Sequence, residues 1–185
     1  EDDSSLNIPV RTLSNPFIWM RRFRKRRGYG VHSPFAFRFI TEVIYETTPY
    51  YAYETLDTLL APRQRFRVRK DAHLLLRLAN YCQPRTIAMS EKAPLPLAYL
   101  HAGCRRSEIV TIGPCAQAEL CYLSHPDDRA IACMDKGCIL VLDNLHKHLP
   151  WFKRLPATLF FDLHDMGIAF FGVPYHKHYY IVNFE

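Results

Sequence analysis

Nine histidines and six cysteines give this chain of 185 residues several ways to assemble a reactive group. The most suggestive spacing is H-x-H, found at His146 and His148 and again at His176 and His178. Residues two apart share a face of a strand, so two such pairs could surround a zinc ion. No glutamate stands among them as in a zinc hydrolase, and both pairs fall in loops or at element ends, which favours polar histidines without a metal. Ser124 beside His125 pairs a nucleophile with a base, but neighbours on a strand point to opposite faces. Asp162 and Asp165 flank a turn and read as turn formers rather than as an acid/base pair. His32 reads as a structural residue beside a helix cap. Cysteines 82, 104, 115, 121, 133 and 138 contain no C-x-x-C pair and lie mostly in or beside apolar runs, which predicts buried, reduced thiols rather than a disulfide or zinc framework.

Charge is a second kind of chemistry. The net charge is +6, but residues 21–70 hold twelve Lys/Arg against four Asp/Glu, a balance of +8. Six of the seven residues from Arg21 to Arg27 are basic, namely Arg21, Arg22, Arg24, Lys25, Arg26 and Arg27, and they follow the cluster Phe17, Trp19 and Phe23. Arg63, Arg65, Arg67 and Arg69 alternate with other residues, a period-two pattern that predicts an extended segment with one charged face. Either stretch is a solvated face or an anion-binding surface, for RNA or DNA phosphates or an anionic membrane. An anionic partner would be met in the N-terminal third.

These residues must be positioned by a fold of ordinary composition. The hydrophobic fraction of 49% and charged fraction of 23% are those of a globular protein. A chain of this length buries roughly 70% of its unfolded surface, so it folds without disulfides or metals. No apolar run approaches the ~20 residues of a membrane span, and the first residues lack a leader's basic and apolar regions, so a cytoplasmic protein is expected. Residues 1–83 read as an acidic arm followed by helical, basic sequence. Ser33 and Pro34 open a helix whose stripe is Phe35, Ala36, Phe39, Ile40, Val43 and Ile44. Tyr50 to Leu60 predicts a shorter helix, and Asp71 is placed as the cap of a helix through Cys82 that Pro84 stops.

Residues 84–185 read as alternating strands and helices. Strands are expected at 86–89, 108–112, 119–123, 138–142, 158–163, 167–171 and 179–184, with helices after the first, third and fourth. The six residues GPCAQA between Ile112 and Glu119 are half the length of a parallel crossover, so an α/β unit is missing there or the pairing is irregular. The last two strands are expected to form an antiparallel hairpin. The first strand leads through Ser90-Glu91-Lys92-Ala93-Pro94 into a helical run that ends on Gly103, expected as a left-handed cap. In a doubly wound sheet this loop is where a nucleotide-like cofactor would lie, yet it contains no glycine, and Pro94 and Pro96 each remove an N–H.

The blocks GYGVHSPFAFRFI, YYAYETL, HLLLRLANYCQPRTI, CILVLDNLH, TLFFDLHDMGIAFF and HYYIVNF span nearly the whole chain in order. Together they resemble class I S-adenosylmethionine-dependent methyltransferase-like proteins of Bacteroidetes-type bacteria. The resemblance implies N-terminal helices followed by a Rossmann-like, methyltransferase-type sheet with an antiparallel final hairpin. It also implies a cofactor site, but the acidic residue and glycine turn that hold S-adenosylmethionine align with Ala88, Ser90 and Pro94. The ribose-binding acid aligns with Gly113, and a later aspartate with Ser124. Ser90 and Gly113 thus mark the implied cofactor positions. Asp143 and Asn144 resemble the Asp-Asn pair that holds a divalent cation in one methyltransferase group, or they cap the following helix.

Three functions follow as expectations. The leading one is a shortened, degenerate methyltransferase-like domain, without effective S-adenosylmethionine binding, that binds nucleic acid or another polyanion through its basic third. A working methyltransferase with a rebuilt pocket is the second. The third is a subunit of a protein assembly, with the aromatic surfaces near Phe17 to Phe23 and Tyr50 to Tyr53 meeting a protein partner.

Overall fold

The computed structural model describes residues 31–60, 65–90, 93–113, 117–132 and 134–184. Arg21 to Arg27 and Arg63 lie outside these residues. The chain enters at Ser33, whose Oγ accepts the N–H of Ala36 and caps α1 (Pro34–Phe39). Pro34 takes the first position, where no intrahelical N–H bond is lost. The helix widens into a π turn over Ile40–Ile44, so Ala36, Phe39, Ile40, Val43 and Ile44 all stay buried. α2 (Tyr51–Leu56) tightens into a 3-10 turn at Asp57–Leu59.

α3 (Arg65–Cys82) corrects two expectations. Arg65, Arg67 and Arg69 belong to this helix, not to an extended segment, and Asp71 lies inside it rather than at its cap. Arginine is a good helix former, and the alternation with Gln64, Phe66 and Val68 is too short to outweigh the helical apolar run that follows from Ala72. Leu74, Leu75, Leu76, Leu78 and Ala79 are all buried, so α3 is covered nearly all round in its second half. Even Arg77 is buried: its Nε donates to Val43 O at 2.8 Å and its Nη2 to Ile44 O at 3.0 Å, closing carbonyls at the end of the π turn. Gln83, at φ 45°, ends the helix before Pro84.

Seven strands form one mixed sheet: β1 (Thr86–Met89), β2 (Glu108–Thr111), β3 (Ala118–Leu123), β4 (Met134–Asp143), β5 (Leu159–Asp162), β6 (Met166–Phe170) and β7 (His178–Ile181). Their order is β2-β1-β3-β4-β6-β5-β7, and only β6 runs against its neighbours. The architecture is α/β and compatible with a Rossmann-like fold. Helices follow the first, third and fourth strands as expected: α4 (Pro94–Gly103), α5 (Arg129–Ala132) and α6 (Leu145–Arg154). β2 is an edge strand, and among the described residues neither helix nor strand separates it from β3, which lies on the far side of β1.

The C-terminal pairing differs from the expectation. The antiparallel hairpin is β5 with β6, whereas β7 pairs parallel with β5 and does not touch β6 in the ladder. β4 and β5 already occupy both edges of β6, and the chain leaves β6 at the end of the sheet where a strand parallel to β5 must begin. The free edge of β5 is therefore the site left for β7.

Side chains alternate between two cores. Ile87, Leu120, Val141, Phe161 and Ile168 meet α1, α3 and α4 on one face. Ala88, Cys121, Leu140, Phe160 and Ala169 meet α5 and α6 on the other. Each large apolar side chain so buried contributes about 1.5–3 kcal/mol. The N-terminal helices share their core with the sheet, and Lys70 Nζ reaches Phe184 O at 3.2 Å to hold the end of the chain. Of the described cysteines, Cys104, Cys121 and Cys138 are buried and Cys82 is partly buried, and burial pushes the Cys82 thiol up to about 12. No described helix is long and apolar enough to cross a membrane.

Gly103 closes α4 without the left-handed backbone expected of it, since the positive-φ glycines are Gly137 and Gly172. Its lack of a side chain serves contact instead: a Cβ there would lie 2.3 Å from Leu76 O and 2.8 Å from Ala79 Cβ on α3. Gly103→Ala is expected to destabilise the fold by about 1–3 kcal/mol, the range for overpacking a filled interface. Urea unfolding of the variant at equal slope measures this, and an unchanged midpoint would refute the close contact.

Candidate functional site

Open α/β sheets bind ligands beyond the carboxyl ends of their parallel strands. Here that edge has two parts. At one, Ser90 follows β1 and Gly113 follows β2, and Met89 pairs with Thr111, so the two implied cofactor positions do lie at neighbouring strand ends. The Ser90 N–H points to Tyr122 O at 3.4 Å, and Ile112 donates to Met89 O at 3.1 Å, so the backbone here prolongs the ladder. Beyond it, α4 begins at Pro94 with Ala93 as a cap that makes no side-chain hydrogen bond. Pro94 and Pro96 lack N–H groups, and Leu97 donates its own to Ala93 O at 3.0 Å. Leu95 alone of the first four helical residues keeps an N–H for a ligand, a poor cradle for an anion.

At the other part, β4 and β5 end side by side around β6. Asp143 Oδ1 accepts the N–H of Asn144 at 2.8 Å, and Tyr122 Oη lies 3.5 Å from Oδ2. Asn144 stands at the N-cap position of α6 but in left-handed backbone at φ 52°, and its side chain makes no capping bond. A capping role for the Asn144 side chain is thus corrected. Asp162, only 4% exposed, accepts the His164 N–H at 2.9 Å and the Tyr179 hydroxyl at 2.8 Å. It forms the turn, as expected, and the turn presents His164 at φ 75°. His164 O and Asp165 O in turn accept the N–H groups of His146 and Leu145, each at 3.0 Å.

These bonds staple the start of α6 to the β5–β6 turn. His146 Nδ1 comes within 3.2 Å of Asp165 Oδ1, and the His146 and His164 rings lie 5.3 Å apart at 28°. The H-x-H pairs do not act as pairs. His148 has φ −123°, which breaks the helix ahead of Pro150 and turns its ring to His125 at 5.8 Å. Burial first, then His125, holds His148 below the usual imidazole range. His176 and His178 sit at the opposite end of the sheet, at the start of β7. Of the anion-binding candidates, Arg65, Arg67 and Arg69 share α3, with Arg69 exposed. A signal for the His146 grouping was present in D-N-L-H after β4 and D-L-H-D after β5, two matching strand ends whose adjacency only the β6 insertion makes.

A second cluster had no sequence signal. Asp57, His73 and Tyr99 come from three helical segments: His73 Nε2 and Tyr99 Oη donate to the same Asp57 Oδ1 at 2.8 and 2.7 Å. Tyr53 stacks on His73 with ring centroids 3.6 Å apart. The cluster ties α2, α3 and α4 together and reads as structural.

No family model matches the chain, and no curated protein matches it.

Burial holds His73 below the usual imidazole range, outweighing the opposing pull of the Asp57 carboxylate. The ring half-enclosed by Tyr53 is therefore neutral and donates its Nε2–H. The unfolded chain takes up this proton near pH ~6.5 and the folded chain only at lower pH, so this stability is present above that pH and falls as pH drops through it. Denaturant unfolding between about pH 7.5 and about pH 5.5 should lose less stability in His73→Gln than in wild type. Equal losses would show that His73 titrates alike in both states.

Proposed function

We propose that the chain is a shortened, methyltransferase-like α/β domain that binds a phosphate-rich polyanion through its basic N-terminal third and does not transfer methyl groups from S-adenosylmethionine. The observation that carries this is the charge on the opening of α3. Arg65, Arg67 and Arg69 fall within its first five residues, and no acidic residue stands in its first turn. Cations at a helix amino end oppose the macrodipole, by about 0.3–1 kcal/mol each when exposed. The dipole therefore gives them no stabilising role at this end of the helix. An anionic partner relieves both the repulsion among them and their conflict with the dipole, and the run Arg21 to Arg27 adds to the same charge excess in sequence.

Support for the methyltransferase-like ancestry comes from the helices ahead of the sheet, which the resemblance implied; the antiparallel final hairpin it also implied is not formed, since β7 pairs parallel with β5. Support for lost cofactor binding comes from Ala88, Ser90 and Pro94 at the positions of the acid and the glycines, and from the proline-blocked amino end of α4.

On heparin, wild type should be retained at low salt and released at moderate salt. A variant with Arg65, Arg67 and Arg69 changed to Gln, and another with Arg21 to Arg27 neutralised, should elute earlier, and the log–log salt slope for a bound oligonucleotide should shrink by about one per contacting cation removed. Identical elution of all three proteins would refute the polyanion surface. Calorimetry of the folded protein with S-adenosylmethionine should give no heat, and micromolar binding, about −8 kcal/mol, would overturn the loss of cofactor.

A further inference from the structure

We infer that His146, His164 and Asp165 form a binding site for a divalent first-row transition-metal ion, with zinc as its representative. This goes beyond the polyanion function and does not rest on it. One ligand atom from each residue lies within 4.8 Å of the others. A tetrahedral ion with bonds of about 2.0–2.1 Å sets its ligand atoms about 3.3 Å apart. His146 Nδ1 and Asp165 Oδ1, at 3.2 Å, already have that spacing. The His164 ring faces His146, and its ligand atom, within 4.8 Å of the other two, would close to about 3.3 Å on an ion.

The backbone holds the three residues for this use. His146 N–H to His164 O and Leu145 N–H to Asp165 O, both 3.0 Å, fix the two ligand-bearing segments against each other. Buried Asp162 accepts the His164 N–H and the Tyr179 hydroxyl, which makes it a positioning residue for the turn. The donor set decides the class of ion. Two imidazoles and one carboxylate suit zinc and its neighbours, whereas magnesium and calcium prefer oxygen throughout. The ion would sit at the carboxyl ends of β4 and β5. The His146 side chain is 35% exposed, so a fourth position opens to solvent, where water or an anionic ligand can bind.

Zinc chloride titrated into the chelator-stripped chain of 185 residues, followed by calorimetry and by cobalt(II) absorption, tests the site. One equivalent should bind, with cobalt bands free of thiolate charge transfer, and zinc should raise the thermal midpoint. His146→Ala and Asp165→Asn should weaken zinc on the order of tenfold or more. His164→Asn keeps a residue that tolerates the left-handed backbone, so it serves where another variant does not fold, and it should weaken zinc similarly. A protein with both His176→Ala and His178→Ala should bind as wild type does. Absence of saturable zinc uptake by wild type would overturn the inference, as would uptake undiminished in folded His164→Asn.

Discussion

The structure depends on a sheet whose two faces are both apolar. Along β4, Ile139 and Val141 turn to one side and Cys138, Leu140 and Leu142 to the other, and all five are buried. Such a strand cannot present either face to water without losing about 1.5–3 kcal/mol for each large side chain exposed. Helices must therefore lie on both sides, and the order of the chain decides which. α1, α3 and α4 cover one face, α5 and α6 the other. The three-layer form follows from this burial more than from any single hydrogen bond.

Within the first layer, polar groups work where apolar packing alone leaves geometry open. Arg77 is buried and closes the carbonyls of Val43 and Ile44, which fixes α3 to the end of the π turn. Asp57 gathers His73 and Tyr99 from α3 and α4. A buried polar group without a partner costs about 1–3 kcal/mol, so these bonds restrict the helices to the one arrangement that satisfies them. Gly103 sets the spacing, because α3 and α4 approach until its Cα faces the Leu76 carbonyl.

The carboxyl edge divides into two parts with different chemistry. Beside β1 and β2 the described residues offer few amide donors, and Ala88, Ser90 and Pro94 stand where the resemblance implies the acid and the glycines. Beside β4 and β5, backbone bonds bring imidazole and carboxylate groups together, and the insertion of β6 between those strands makes this possible. In the sequence, basic charge is concentrated in the first third, and Arg65, Arg67 and Arg69 open α3.

By itself the sequence determined the elements whose signals are local. Ser33 and Pro34 marked a helix start, the apolar run Thr86 to Met89 a strand, and six residues between Ile112 and Glu119 an abbreviated crossover, because caps, alternation and chain length act over a few residues. Arg63 to Arg69 misled, since an alternation with only Phe66 and Val68 as apolar partners carries little energy against the buried leucines that follow in the same helix. Tertiary structure alone decided that β7 joins β5, that Gly103 serves a helix contact, and that His146 meets His164 and Asp165 rather than His148. Each of these depends on which strand edge or helix surface remains free after the others are placed, and that competition is settled across the whole chain.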